Sequence, residues 1–457
     1  MQTNIQANIP ANIAVAAPQR VITRRAVASW VVYDLANTIF SMGVVSLFFS
    51  LWIRDAVGAN HADTVYGIIS AISMGIIFFL SPLLGAMTDR ARRRMPFLVV
   101  STLVCVFFTG LLARSGFYLS AFFFVVANVA YQAGLQFYDA MLPEVSTEKN
   151  RGKISGIGVG VGYLGSYIAV GFGLVYGTED KPFLFLMIAL AFLLFSIPCF
   201  LFVRERGNPD PRPINFQMVR GSTRETINTL RSSEEYPGLR RFLIGRVFYT
   251  DAINTVISIM ALYTVNIAVG TGLSEQQGQA QANLILMAAV TFAVGGGFFW
   301  GWLADRRGPK RTLDLVLLMW MAIFLAAASV GLLGLPLWTL YVVAAHAGFA
   351  LGGIWAADRP LMLRLTPPAR IGEFYGLYGM VGRFSAITGP VIWAIVTHLA
   401  IQVFGLTPQV GQGISVLVLM TLVIISRIIL RPVSDEPPVW PQAYLVTDNA
   451  HTAKDQR

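Results

Sequence analysis

The sequence predicts an all-α integral membrane protein with twelve transmembrane helices in two six-helix halves. Three observations predict it. The chain is 55% apolar and only 13% charged, against roughly 25% charged in a globular domain. Twelve windows of about 20 residues are nearly free of charge, which is the length needed to cross hydrocarbon. Polar patterns of the first half return in the second at an almost constant spacing.

The twelve segments begin near Val27, Tyr66, Phe97, Phe117, Gly152, Phe183, Phe242, Ala282, Leu313, Leu337, Gly372 and Gln412. They divide the chain into a tail over 1–26, a first half over 27–203, a linker over 204–241, a second half over 242–431 and a tail over 432–457. In the linker, Ser222 and Glu225 have capping-box spacing and predict a short amphipathic helix lying on the membrane or the bundle. This plan leaves no room for a soluble catalytic domain. No Ser/His/Asp, Cys/His or metal-ligand cluster is present, so neither an enzyme nor a cofactor or metal is expected. The absence of G-x-x-x-x-G-K-[ST] excludes a P-loop ATP site.

The formal charge of +10 raises the question of nucleic acid, and its distribution answers it. With the N-terminus in the cytoplasm, the tails and even-numbered loops hold 27 of the 34 Lys and Arg residues. The odd-numbered loops hold only Arg54, Arg114 and Lys181. This is positive-inside asymmetry. It predicts a multi-pass protein of the cell (inner) membrane with both termini cytoplasmic and no nucleic-acid partner. Residues 1–20 lack a basic region followed by an apolar stretch and cleavage site, and read as a cytoplasmic tail. Cys105 and Cys199 lie in apolar segments and read as packing residues.

The repeat is carried by three matches. Asp34, Asn37, Thr38 and Ser41 in the first segment form D-x-x-N-T-x-x-S. Asp251, Asn254, Thr255 and Ser258 repeat it in the seventh. The spacing i, i+3, i+4, i+7 is one helix face. Gly85 and Asp89, followed by Arg90, recur as Gly301, Asp305 and Arg306 in the loop after the eighth segment. Asp139 and Arg151 recur as Asp358 and Arg370, and Gly156 and Gly162 as Gly376 and Gly382. Ordered matches of this kind mean a duplicated six-helix unit.

On these residues the chain resembles a known family. GAMTDRARRR and GWLADRRGPKR resemble the G-x-x-x-D-R-x-G-R-R loop signature of the major facilitator superfamily. That resemblance implies two bundles around a central cavity lined by the first, fourth, seventh and tenth helices. It also implies that Asp89 and Asp305 cap helices of the opposite half, near Ile371 and Gly152, as a gate involving Gly85, Arg90, Gly301 and Arg306. WVVYDLANTIF, FYDAMLPEVS, RGKISGIGVGVGYLGSY and GEFYGLYGMVGRFSAITGP resemble the vacuole effluxer, or autophagy-related amino-acid exporter, branch and its bacterial relatives. Amino-acid export is what this narrower resemblance implies. Asp358 departs from the branch pattern.

Other features have bland readings beside sharper ones. Gly160 to Gly165 reads formally G-x-G-x-x-G, but inside a membrane segment it is a helix-packing pattern. His346 reads as a hydrogen-bonded packing residue or a proton relay. Asn128, Gln132 and Gln136 recur every four residues and are expected to face the cavity. The intramembrane charges Asp34, Arg246, Asp251 and Arg383 read either as packing ion pairs or as solute and proton ligands. Five residues separate Arg246 from Asp251, about 140° around a helix, so these two are not expected to pair. Arg383 is the expected partner for either acid, and Asp34 is expected to face a water-filled cavity opposite Asp251.

The expected function is secondary active transport of a small polar solute by alternating access, coupled to protons, in a monomer in the lipid bilayer. A sensor or structural membrane protein that kept the fold without transport is the open alternative.

Overall fold

A computed structural model describes residues 22–208, 211–213, 236 and 238–436. The helix expected after Ser222 lies outside them. Twelve helices follow one another: α1 (Arg24–Val57), α2 (Ala59–Arg90), α3 (Met95–Gly110), α4 (Phe117–Ala140), α5 (Arg151–Tyr176) and α6 (Lys181–Phe202). The second half holds α7 (Leu239–Gly270), α8 (Glu275–Arg307), α9 (Pro309–Leu333), α10 (Thr339–Leu365), α11 (Ile371–His398) and α12 (Pro408–Leu430). Eleven are long and apolar enough to span a bilayer, and Met95–Gly110 is a shorter apolar helix.

Local chemistry places the helix ends. Thr23 accepts from Ala26 N–H at the start of α1, and Ser274 with Gln277 forms a capping box on α8. Each satisfies backbone donors that lack an intrahelical partner. Gly58 and Gly308 turn the chain at φ of 83° and 92°, a left-handed conformation that a Cβ disfavours. Residues Ser41–Phe48 within α1 are wound as π-helix.

One continuous core runs through both halves, and the halves meet chiefly along two seams, α2 against α11 and α5 against α8. In the first half, Trp30 stacks on Tyr138 with centroids 4.4 Å apart, and Tyr33 stacks on the same ring at 5.1 Å. Tyr138 Oη donates to Trp30 O (3.1 Å) while Trp30 Nε1 donates to Tyr138 O (3.4 Å). This reciprocal tie fixes α1 against α4. It brings Asp34, one turn after Trp30, and Asp139, next to Tyr138, to the same place. Cys105 and Cys199 are buried free thiols, as packing residues should be.

Candidate functional site

The ends of α2, α4, α8 and α10, the starts of α1, α5 and α11, and the basic loops lie at one end of the bundle, here the basic end. Two carboxylates there cross between the halves. Asp89 accepts from Gly372 N (2.7 Å) and Glu373 N (2.8 Å) at the start of α11. Asp305 accepts from Gly152 N (2.6 Å) and Lys153 N (2.9 Å) at the start of α5. The caps expected near Ile371 and Gly152 are therefore present, each a carboxylate on unsatisfied N–H groups at the positive end of a helix dipole.

Glycine makes the approach possible. A Cβ at Gly301 would sit 2.7 Å from Gly152 O, and one at Gly372 would sit 2.6 Å from Gly85 O. At Gly376 it would meet Ser81 O at 2.7 Å. The repeated glycines of α2, α5, α8 and α11 thus let the four backbones touch where the aspartates reach across.

A third crossing was not anticipated. Arg359, in the last two turns of α10, reaches into the first half. Its Nη1 donates to Asp34 Oδ2 (3.2 Å), and its Nε lies 3.0 Å from Asp139 Oδ1. All three side chains are buried. One guanidinium from the second half therefore faces two carboxylates of the first, one positive charge against two negative. The sequence held a signal for it. Asp139 and Asp358 are repeat equivalents, but the residue after them is Ala140 in one half and Arg359 in the other. Asp139 has no cation in its own copy of the unit.

Arg383 is not the partner of Asp34 or Asp251, and this corrects the expectation. It donates from α11 to Ser81 Oγ of α2 and to Gln132 O of α4 (2.8 Å). Asp34 accordingly faces Arg359 rather than open water. Arg246 does avoid Asp251, as its angle requires. It pairs instead with Asp358 at 3.0 Å, which also accepts from Tyr249 Oη (2.5 Å) and Tyr378 Oη (2.8 Å). This cluster ties α7, α10 and α11 within one half.

The α4 stripe is a second correction. Asn128 Nδ2 donates to Ser73 Oγ (2.8 Å), and Gln136 Nε2 donates to Ser81 O (2.9 Å). Asn128 and Gln136 thus join α4 to α2 instead of lining open space. Of the first D-x-x-N-T-x-x-S motif, Thr38 donates to Asp34 O and Ser41 to Thr38 O. Asn37 is buried with neither end of its amide partnered among the described residues. An unpaired buried amide costs about 1–3 kcal/mol. In the second motif, Asp251 accepts from Thr388 Oγ1 (2.9 Å), Thr255 is buried, and Ser258 is exposed and donates to Asn254 O. Arg90 O accepts from Arg212 N, and Arg306 stacks over Trp302 of its own helix. His346 is exposed and bonds only within α10, to Val342 O.

Two further acids of the basic end escaped the sequence reading. Glu205, just after α6, accepts from Arg94 N (2.6 Å) and Met95 N (2.9 Å) at the start of α3. Burial pushes its carboxyl up from the usual range, opposed by those N–H groups and the Arg94 guanidinium. Asp435, just after α12, does the same for α9 through Lys310 N (2.7 Å) and Arg311 N (2.8 Å). Their repeat spacing differs from that of the other matches, so alignment by a constant offset passes over them.

Far from the basic end, the Tyr167 and Thr291 hydroxyls also join the halves (2.5 Å). That pair is sixteen residues from Arg151 and from Arg307 along α5 and α8, about 24 Å from the basic end. Two six-helix halves, joined by helix caps and ion pairs toward one end, are the architecture of a major facilitator-type membrane transporter. Comparison with solved structures agrees on the fold. The human organic anion transporter MFSD10 superposes with a TM-score of 0.69 at 17% identity, over 89% of this chain and 99% of that one. The transporter FucP, in its outward conformation, gives 0.62 at 15% identity, over 88% and 97%.

The family model described as Vacuole effluxer Atg22 like matches residues 57–423, and the chain belongs to that family. The MFS-type transporter YxiO of Bacillus subtilis (strain 168) is 28% identical over 81% of this chain and 88% of its own length. Autophagy-related protein 22 of Pyricularia oryzae is 28% identical over 54% of this chain, which spans 39% of that longer protein. The chain is thus a multi-pass membrane transporter for a small-molecule solute and not an enzyme.

Proposed function

We propose that the chain exports a small polar solute, amino acids being the class its family suggests, by proton-coupled alternating access. The supporting observation is Arg359 held between Asp34 and Asp139 of the opposite half. The basic end is the cytoplasmic one in this reading, with both termini there, and the closed end blocks that side. The protein acts as a monomer in the cell membrane.

The coupling follows from charge balance. A proton arriving from the open side neutralises Asp34 and removes one of the two counter-charges of Arg359. Arg359 then keeps its pairing with Asp139 but loses the charged tie to Asp34, so the closed end is held by one ion pair in place of two, and the halves part there. Water then hydrates both acids, which restores the ionised form, and the proton leaves on the cytoplasmic side. The paired carboxylates recapture Arg359 and close that end again. Each cycle moves a proton inward, which can drive solute outward. Asn37, three residues from Asp34 on the same helix face, is the first residue to test for solute contact.

The experiment is flux in liposomes holding purified protein, screened over amino acids and other small metabolites with and without a pH gradient. Accumulation that follows the gradient and becomes insensitive to it in Asp34→Asn supports the reading. Gradient-driven flux that survives unchanged in Asp34→Asn would overturn the coupling role.

A further inference from the structure

The outer flank of α8 carries a cleft of about 490 Å³ at the basic end, lined chiefly by Phe299, Trp302, Arg306 and Arg307, with Leu315 from α9. Phe299, Trp302 and Arg306 share one helix face. Gly297, Gly301 and Ala304, which meet α5, lie roughly opposite. The cleft therefore opens away from the seam, toward the bilayer. Phe299 and Trp302 are 43% and 42% exposed. The Arg306 guanidinium lies 4.4 Å over the Trp302 ring. Neither Arg306 nor Arg307 has a carboxylate partner among the described residues.

The gate does not need this flank. The cap and the glycine crossing occur in both halves. At the equivalent positions, 216 residues earlier, the first half has Leu83, Ala86, Arg90, Ala91 and Val99. It has no aromatic residue there and a single arginine. The aromatic and dibasic surface belongs to the second half alone.

We propose that this cleft binds one anionic phospholipid, with its phosphate on Arg306 and Arg307 and its acyl chains along Phe299, Trp302 and Leu315. The bilayer is what covers this face. Trp rings settle at the headgroup level, and a basic pocket beside membrane helices attracts anionic headgroups. The C-terminal end of α8 is the negative end of its dipole, so the two guanidiniums and not the backbone supply the attraction. The site is independent of the transported solute.

The test is native mass spectrometry of the purified protein offered equal phosphatidylglycerol and phosphatidylcholine. The expected result is one phosphatidylglycerol retained in preference. Its retention should fall about thirtyfold in the Arg306→Gln, Arg307→Gln double variant, from roughly fivefold per arginine. If the double variant does not fold, the single variants should each show the fivefold loss. Trp302→Leu should weaken retention of the lipid while leaving its preference over phosphatidylcholine. Equal retention by the unaltered protein and the arginine variants would overturn the site. So would displacement of the lipid by soluble glycerol phosphate, which would show an anion site without a lipid.

Discussion

Asp34 and Asp251 begin the same motif in the two halves, and their surroundings differ. Asp34 meets a guanidinium from the other half. Asp251 accepts from a threonine hydroxyl of its own half, and no cation pairs with it among the described residues. The same divergence separates Asp139 from Asp358, its repeat equivalent. Asp358 holds Arg246 inside the second half, while Asp139 shares Arg359 across the interface. Duplication fixed where the acids stand. The arginines, present only in the second copy at Arg246 and Arg359, decide which acids are paired across the interface and which within one half.

The largest effect should come from Arg359→Gln. It strands two buried carboxylates and should cost the closed basic end about 3–5 kcal/mol. Spin labels at Thr147 and Ala369, both exposed residues of opposite halves, should move apart. Neutralising Asp34 and Asp139 in the same chain should recover part of the short distance. An unchanged distance in Arg359→Gln would remove the asymmetry between the acids.

Asp358→Asn comes next, at about 3 kcal/mol. Its cost should appear in thermal unfolding, with the label distance unchanged, because its partners lie in one half. A change in distance without a change in melting would reverse the roles given to Asp139 and Asp358.

Asp89→Asn and Asp305→Asn should each weaken the closed end by about 1–2 kcal/mol. Asp89→Asn should cost slightly more, since both aspartates cap a helix through two N–H groups and Asp89 also pairs with Arg94 (3.0 Å). Cysteine accessibility at the basic end is the measurement, and a large inequality would show that the seams are not equivalent.

The smallest effect belongs to Asp251→Asn, below about 1 kcal/mol. Asparagine still accepts from Thr388. The pH dependence of transport should persist in this variant and disappear in Asp34→Asn, and equal behaviour of the two would end the comparison.

The sequence carried the helices, the duplication and the two capping aspartates, because each leaves a local pattern. Charge-free length marks a span, and the Gly–Asp spacing recurs in both loops. The partner of Asp34 left no such pattern. Arg359 stands near a helix end, 325 residues away, and only the packing of the two halves brings it to α1 and α4. Periodicity shows that Asn128 and Gln136 share a face, but α2 takes that face because Ser73 and Ser81 recur at the matching interval. A stripe facing a neighbouring helix and one facing a cavity have the same spacing, and only the packed neighbour tells them apart.

The distant partnership of Asp34 also bears on how the chain is made. At roughly 10 residues per second, about half a minute separates synthesis of α1 from that of Arg359. During that interval two acids of the nascent first half have no counter-ion. The start of α5 also lacks the aspartate that will cap it. A ribosome paused after α6 would thus hold six helices that are nearly complete in packing and incomplete in charge.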